Sequence, residues 1–529
     1  MKRKIFLRII IGITAIVLLV VLLTKVFVEP WIEKKIKTTL IENSGDYLLK
    51  IEKVHVLIFS SGIELENITL LSKKENEGKP NLTGEIETVK FKGIHLIKAF
   101  FGKDIDIREV GIFNSRLTGK VAFPKKAKLL KVSPVNIRIE NLLFDKFVVD
   151  VKSTTTAQAY SVKDGVLKVF DINVEKNDTL SPNSFGQFDF EAIELKTVTP
   201  DSLYTISAVG INYSSTSNTL KANRFVVHPN YTEYGFTSRN QFQKDRIEAE
   251  FNNIYVHDFY AENYFKYKNM VSSYIEIGEM DMKVFRDNRK EFRHKNKPPF
   301  QNMIYNYPGI INIDSIGIIN GNITYTEHVE KASGPGMVSF KKIHAKIYKI
   351  SNDSVYKTES ASIELKADAL LMGKGKLSII LKAGIFDSQN TFSVDGKLSD
   401  MEAKEINPML ENNAFIYATS GKIDTMNFNF TANNTEANGK MTLFYHGLNI
   451  LVKNKRTDDT TAIKEQILSF VANIKMIDSN PIPGEDIREG IIYYERDPER
   501  FLFNYCFKSI LSGIKSSVYD RPKKKRKLS

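Results

Sequence analysis

Cysteine occurs once in this sequence, as Cys506. A lone thiol closes no internal disulfide, which excludes a disulfide-stapled secreted scaffold. At 529 residues the chain is long enough to bury a core without such staples. Histidine is also scarce: His55, His95, His228, His257, His294, His328, His344 and His446 are scattered, and none falls in a His-Glu-x-x-His or Cys/His pattern. His55 and His344 lie in strand-like runs and read as ordinary surface or core residues. A Gly-x-Ser-x-Gly elbow and a Walker loop are both missing. Gly373 and Gly375 form a lone Gly-x-Gly that reads as a hairpin turn. Asp145, Glu327 and Asp424 are carboxylates with no spacing that would make them an acid/base pair. The expectation is a protein without a catalytic site, metal or cofactor.

Charge of one sign is lacking too, once the ends are set aside. The formal net charge is +13, and ten of those charges come from Lys2, Arg3, Lys4 and Arg8 at the start and Arg521, Lys523, Lys524, Lys525, Arg526 and Lys527 at the end. The body between them is close to neutral, so it makes no case for binding nucleic acid. Pro522 to Lys527 resembles a nuclear localisation signal by composition, a reading at odds with the exported body argued next.

One long apolar run is present. Ile9 to Thr24 carries no charge, and Ile5 to Val28 as a helix would reach about 36 Å, against about 30 Å for a bilayer core. Arg8 and Lys25 stand near its ends, and the preceding cations set the amino terminus in the cytoplasm. No small-x-small cleavage site follows, so the run is expected to be an uncleaved signal anchor rather than a removed leader. Either reading exports the body.

The body reads as period two. Val135, Ile137 and Ile139 alternate with polar residues, as do Phe188 and Phe190, and Phe428 and Phe430; Phe147, Val149 and Val151 alternate with less consistent partners, and Leu448, Ile450 and Val452 follow the same period. Such segments, separated by short Gly, Asn, Asp or Ser clusters, predict many half-buried antiparallel strands. Helical periodicity is confined to Pro30 to Ile41, Asp258 to Ser273, one turn from Ile406 to Leu410, Thr461 to Met476, and Pro498 to Val518. Ile107 to Thr118 (IREVGIFNSRLT) aligns without gaps on Ile313 to Thr324 (IDSIGIINGNIT), which predicts two halves built on one β unit. The expected organisation is a stub and anchor over 1–30, a first β half over 31–284, a linker over 285–308, a second β half over 309–455, a helical region over 456–520 and a basic tail over 521–529.

A family resemblance rests on the order of short motifs. Val54 to Val56 is followed by Gly62 to Leu70 (GIELENITL), then Phe91 to Lys98 and Gly102 to Val110. Farther on stand Gly321 to Glu327 (GNITYTE), Val338 to Ile343, Gly396 to Leu398 with Ile406 to Pro408, and Ser420 to Asp424. This order resembles the AsmA-like proteins of the Gram-negative envelope, although this chain is much shorter than the largest of them. The resemblance implies a mainly β protein: an N-terminal transmembrane helix, then an elongated, repeated antiparallel sheet rolled halfway into an apolar groove, with a few flanking helices. It also implies a single-pass inner-membrane protein with a periplasmic body that shields or transfers phospholipid or another envelope lipid. Outer-membrane or envelope assembly proteins are the implied protein partners.

On this reading the groove is lined by Val135, Ile137, Ile139, Phe147, Val149, Val151, Phe188, Phe190, Phe428, Phe430, Leu448, Ile450 and Val452. Membrane contact is assigned to Trp31, to Phe501, Phe503 and Phe507, and to the tail residues Lys523, Lys524, Lys525, Arg526 and Lys527. A terminal helix packed on the sheet with a solvated tail accounts for the same carboxyl-terminal residues. From periodicity alone a closed β-sandwich core is the competing architecture, and with it an envelope assembly protein that binds other proteins through its sheet edges.

Overall fold

The computed structural model describes residues 14, 19–22, 24–43, 47–57, 60–73, 80–94, 104–122, 133, 135–178, 181, 184–356, 362–452 and 477–519. Most of the expected membrane span, the periodic stretch Thr461 to Met476 and the basic tail lie outside them. Among the described residues no helix is long and apolar enough to cross a membrane. Nineteen strands belong to one mixed sheet that does not close on itself. The chain divides into two compact units, Met1–Asn223 with Ala261–Lys266, and Arg224–Tyr260 with Tyr267–Ser529.

The first unit contains α1 (Glu29–Asn43), β1 (Tyr47–Leu57), β2 (Gly62–Ser72), β3 (Asn81–Lys92), β4 (Asp104–Val121), β5 (Asn136–Ser153), β6 (Ala159–Val174), β7 (Phe188–Val198) and β8 (Tyr204–Ser214). Successive strands pair antiparallel, except that β4 and β5 run parallel. Helix α1 forms where the sequence predicts it, with Pro30 in its first turn. Ile32 and Ile36, one turn apart, press on Ile51, Val54, Ile63, Leu65, Ile68 and Val89 of the first three strands. Strand β9 (Thr219–Pro229) follows, and α2 (Glu233–Ser238) begins the second unit's helices.

The second unit continues with β10 (Arg246–His257), β11 (Met270–Asp287), β12 (Ile311–His328), β13 (Gly336–Ser351), β14 (Ser362–Leu371), β15 (Gly375–Gly384), β16 (Phe392–Glu402), β17 (Ile416–Ala432), β18 (Glu436–Val452) and β19 (Glu489–Glu495). Among the described residues four more α-helices follow: α3 (Ala261–Tyr267), which belongs to the first unit apart from its last residue, α4 (Phe300–Tyr305), α5 (Asn407–Asn413) and α6 (Leu502–Val518). Here too neighbours are antiparallel, with one parallel pair, β11 and β12.

Three expectations are corrected. The sheet is mixed, not wholly antiparallel. A parallel pair needs a crossover of about a dozen residues or more, and period-two patterning carries no strand direction. The segment 285–308 is such a crossover rather than a linker: Phe285 to Asp287 finish β11 with Phe285 and Asp287 buried, and α4 seats a buried Gln301. The helix expected from Asp258 to Ser273 stops at Tyr267, where Lys268 turns left-handed (φ 63) and alternation resumes in β11. The aligned repeats fall on β4 and β12, both 18 residues long; the parallel partner of β4 follows it in the chain, whereas that of β12 precedes it. The Gly373 turn is a hairpin turn with positive φ at Met372 and Gly373 and a Lys374 N–H donated to the Leu371 carbonyl at 3.0 Å.

The core of the second unit is thickest over β16–β19. Phe392, Val394, Leu398, Met426, Phe428, Phe430, Met441, Leu443 and Ile492 meet there under α6. The helix seats through Tyr505, Ser509, Gly513 and Ser517, four residues apart and all buried. Its flank also closes the sheet edge: the Ile491 N–H donates to Ser516 Oγ at 2.9 Å and the Tyr493 N–H to Ser512 Oγ at 3.1 Å. An unpaired strand edge invites pairing with another chain, and Ile491 and Tyr493 are both exposed. The double variant Ser512→Ala with Ser516→Ala is therefore expected to lose roughly 1 kcal/mol per hydrogen bond and to self-associate as concentration rises. Sedimentation velocity checks this; a variant that stays monomeric across the range overturns the assignment.

Candidate functional site

The apolar face of the first unit is built by cross-strand ranks, because residues directly opposite in antiparallel strands share a face. One rank runs Phe144, Leu167, Phe190, Tyr213 from β5 to β8. Another runs Leu142, Val169, Phe188. A third runs Phe147, Gly165, Ala192, Ile211, and a fourth Val149, Val162, Leu195, Ala208. A Cβ at Gly165 would collide with the Phe147 ring, so glycine there lets that ring lie across the neighbouring strand. Phe147 stands 6.5 Å from Phe190 and 6.2 Å from Phe144, ring centre to ring centre.

The period-two pattern holds this face only because it is reset. Lys146 adopts φ 53, the β5–β6 register slips on either side of Phe147, and one extra residue moves the inward set from Leu142 and Phe144 to Phe147, Val149 and Val151. The sequence reading found Ile137, Ile139, Phe147, Val149, Val151, Phe188 and Phe190, and the structure places all seven on β5 and β7. Val135 is half-buried just before β5. Leu142, Phe144, Leu167, Val169 and Tyr213 were missed, since a bulge leaves no mark in a two-residue period.

Both flanks of this face are covered. Helix α1 packs on β1, within the apolar cluster that it shares with β2 and β3. At β8, the Tyr213 hydroxyl donates to Glu262 Oε2 and receives the Ala261 N–H, both at 3.1 Å, docking α3 so that Phe265 reaches Phe188 at 5.9 Å. Burial, assisted by Glu262, pushes the Tyr213 phenol up to about 12. Between these helices no described helix covers β5 and β6, where Phe144, Phe147, Val149 and Leu167 stay half-buried.

The residues singled out in the second unit behave differently. Phe428 and Phe430 are only 4% and 3% exposed and sit beneath α6, so they form a closed core rather than an open lining. Leu448 packs at the margin of that core, Ile450 is half-buried opposite Ala418, and Val452 pairs with Ile416 at the end of β18. The alternation around Asn429 marks an inward face without saying what covers it. Of the residues expected to contact a membrane, Phe501, just before α6, and Phe503 and Phe507, on it, are 47%, 51% and 41% exposed, and Trp31 is 54% exposed on α1. The Phe503 ring nevertheless reaches back over the sheet, 5.9 Å from Tyr325 and 6.5 Å from Phe340.

Beside Tyr325 the face turns polar. Arg286 donates from Nε and Nη2 to Asp245 at 2.6 and 2.8 Å, and Glu327 lies opposite Arg286 in the parallel register. Burial opposes the Arg286 charge, but the Asp245 carboxylate outweighs it and the guanidinium pKa is raised. The Tyr325 hydroxyl donates to Glu327 at 2.9 Å, and burial, with that carboxylate, holds its pKa well above the usual phenol range. The other carboxylates noted in the sequence stay apart: Asp424 meets the exposed His446 at 2.9 Å, and Asp145 lies on β5. Among the described residues no three His, Cys, Asp or Glu side chains gather as metal ligands.

No protein-family model matches the chain, and a search of curated proteins finds no match.

Proposed function

We propose that this chain is a membrane-anchored, periplasmic factor of envelope biogenesis that shields or carries lipid on an apolar β-groove, with the inner membrane and phospholipid as its partners. The observation that carries the reading is the face of Phe144, Phe147, Leu167 and Phe190, half-buried and under no described helix, between two helix-covered flanks. From Ile137 to Val151 the strand offers roughly 45 Å of apolar face, ample for the chains of one leaflet at about 15 Å. Each methylene moved from water to such a face gains about 0.8 kcal/mol, so the chains and not the headgroup dominate binding. The AsmA-like order of motifs supports the same reading, as do the exposed Leu19, Val20, Leu22 and Phe27 beside α1.

The core sealed by α6 favours the second reading, an envelope assembly protein that binds other proteins at its edges. A photo-reactive amino acid at Phe190, in the full chain in membranes, separates the two. Lipid adducts at 190 and none at the adjacent outward Glu191 are expected on the lipid reading. Adducts to protein alone at 190, or equal lipid yields at both positions, would sink it.

A further inference from the structure

The register reset at Lys146 is one point on a line that crosses the first unit. Pairing drops out at Glu52 and Asn67 between β1 and β2, at Glu87 and Asn114 between β3 and β4, at Asp164 and Ile193 between β6 and β7, and at Ile193 and Gly210 between β7 and β8. Asn67 also stands opposite Glu87, and Asn114 stands beside Lys146, so these positions are neighbours from strand to strand. Asn67, Asn114, Lys146, Asp164 and Gly210 are left-handed, with φ of 53, 50, 53, 47 and 62. Positive φ is uncommon outside glycine, and a residue that leaves the ladder in this way bends its strand. Five of them on one line crease the sheet.

The line is fastened at one end. Asn67 Nδ2 donates to Glu52 Oε2 and Asn114 Nδ2 to Glu87 Oε2, both at 2.6 Å, and each bond ties a left-handed residue to the one opposite it on the neighbouring strand. Helix α1 packs on the same end through β1. From β5 onward such bonds are missing. The Lys146 and Asp164 side chains are exposed and form no hydrogen bond or ion pair among the described residues, Ile193 is apolar and 51% exposed, and Gly210 has no side chain to offer. The unfastened stretch is also the one where Phe144, Phe147 and Leu167 lie under no described helix.

We propose that this line is a hinge, held at β1–β4 and free at β5–β8, about which the two arms of β5, β6 and β7 fold together on an apolar chain. One arm carries Phe144, Leu167 and Phe190, and the other carries Val149, Val162 and Leu195. Folding the arms together takes the chain out of water on both sides, and the residues on the line absorb the change in backbone angle. The inference rests on the lipid-handling reading and adds a motion to it: the groove grips its cargo at β5–β7 and keeps its shape beside α1.

The fastened end supplies the test. Asp164 and Ile193 stand opposite each other as Asn114 and Glu87 do, so Asp164→Asn with Ile193→Glu copies the fastening onto β6 and β7. Both side chains are exposed and neither belongs to the apolar ranks. The full chain is placed in vesicles of phosphatidylethanolamine and phosphatidylglycerol, with Cys506→Ser and spin labels at Ser161 and Lys168, on either side of the line in β6. A separate sample carries a photo-reactive residue at Phe190. The fastened variant is expected to narrow the distribution of label distances and to lower lipid adducts at 190 about tenfold. Ile193→Glu alone, which opposes two acids and fastens nothing, is expected to change neither. Glu87→Ala, which frees the fastened end, is expected to broaden the distance between labels at Arg108 and Lys120 across the line in β4. An unchanged width in the fastened variant and in Glu87→Ala, or full lipid yield in a fastened variant whose distances have narrowed, overturns the hinge while leaving the groove intact. Absence of lipid adducts at 190 in the unaltered chain overturns the lipid reading itself, and the two label distances then decide the hinge alone.

Discussion

Phe428→Ala is expected to cost the second unit about 3–5 kcal/mol, and Phe190→Asp is expected to leave the chain folded while abolishing lipid adducts. The contrast follows from what covers each ring. Phe428 lies across Gly396 under α6, with Met426, Met441 and Ile492 in the same core, so its removal leaves a cavity that the helix cannot collapse into. Phe190 stands in a half-buried rank with water within reach, so an aspartate there can stay hydrated while denying an acyl chain its surface. Denaturant unfolding of Phe428→Ala and crosslinking from the neighbouring rank in Phe190→Asp measure the two effects. A cost below about 1 kcal/mol for Phe428→Ala would mean that α6 does not seal this core. Undiminished lipid yield in Phe190→Asp would mean that the open rank is not where lipid sits.

Gly513→Leu is expected to lift α6. A Cβ at 513 would stand 2.8 Å from Ile492 Cγ1 and 2.9 Å from Met441 Cε, closer than side-chain carbons approach, and a leucine adds three more carbons. Overpacking of this kind costs about 1–3 kcal/mol. The single thiol gives the readout. Burial pushes Cys506 up to about 12, so at pH 8 it is protonated and reacts slowly with thiol reagents while the helix is docked and faster once it opens. Each 1.4 kcal/mol lost from helix docking should speed labelling about tenfold. An unchanged labelling rate in a folded variant would show that the helix does not seat through its small-residue face.

Much of the architecture was legible because burial on one face writes a two-residue period. Ile137 with Ile139 and Phe188 with Phe190 gave strands on the correct face, and Pro30 and the apolar positions after Asp497 gave α1 and α6. The period is silent on three matters. It does not reveal a bulge, and so Lys146 hid Phe144. It does not give strand direction, and so the crossover through α4 looked like a linker. It does not say what lies above a face, and so Phe428 and Phe430 resembled an open lining. The polar cluster was out of reach for another reason: Asp245 meets Arg286 through the β10–β11 antiparallel pair and Glu327 through the β11–β12 parallel pair, and no local spacing records that meeting.

The two serines on the flank of α6 also bear on how such a sheet can change over generations. With Ser516 and Ser512 occupying the outward N–H groups of β19, a further strand cannot be appended at that edge without first losing the helix. Lengthening is easier by duplicating strand pairs inside the sheet, where each new hairpin finds partners on both sides. The gapless match between Ile107–Thr118 and Ile313–Thr324, both interior to the sheet, is the kind of trace such internal duplication leaves.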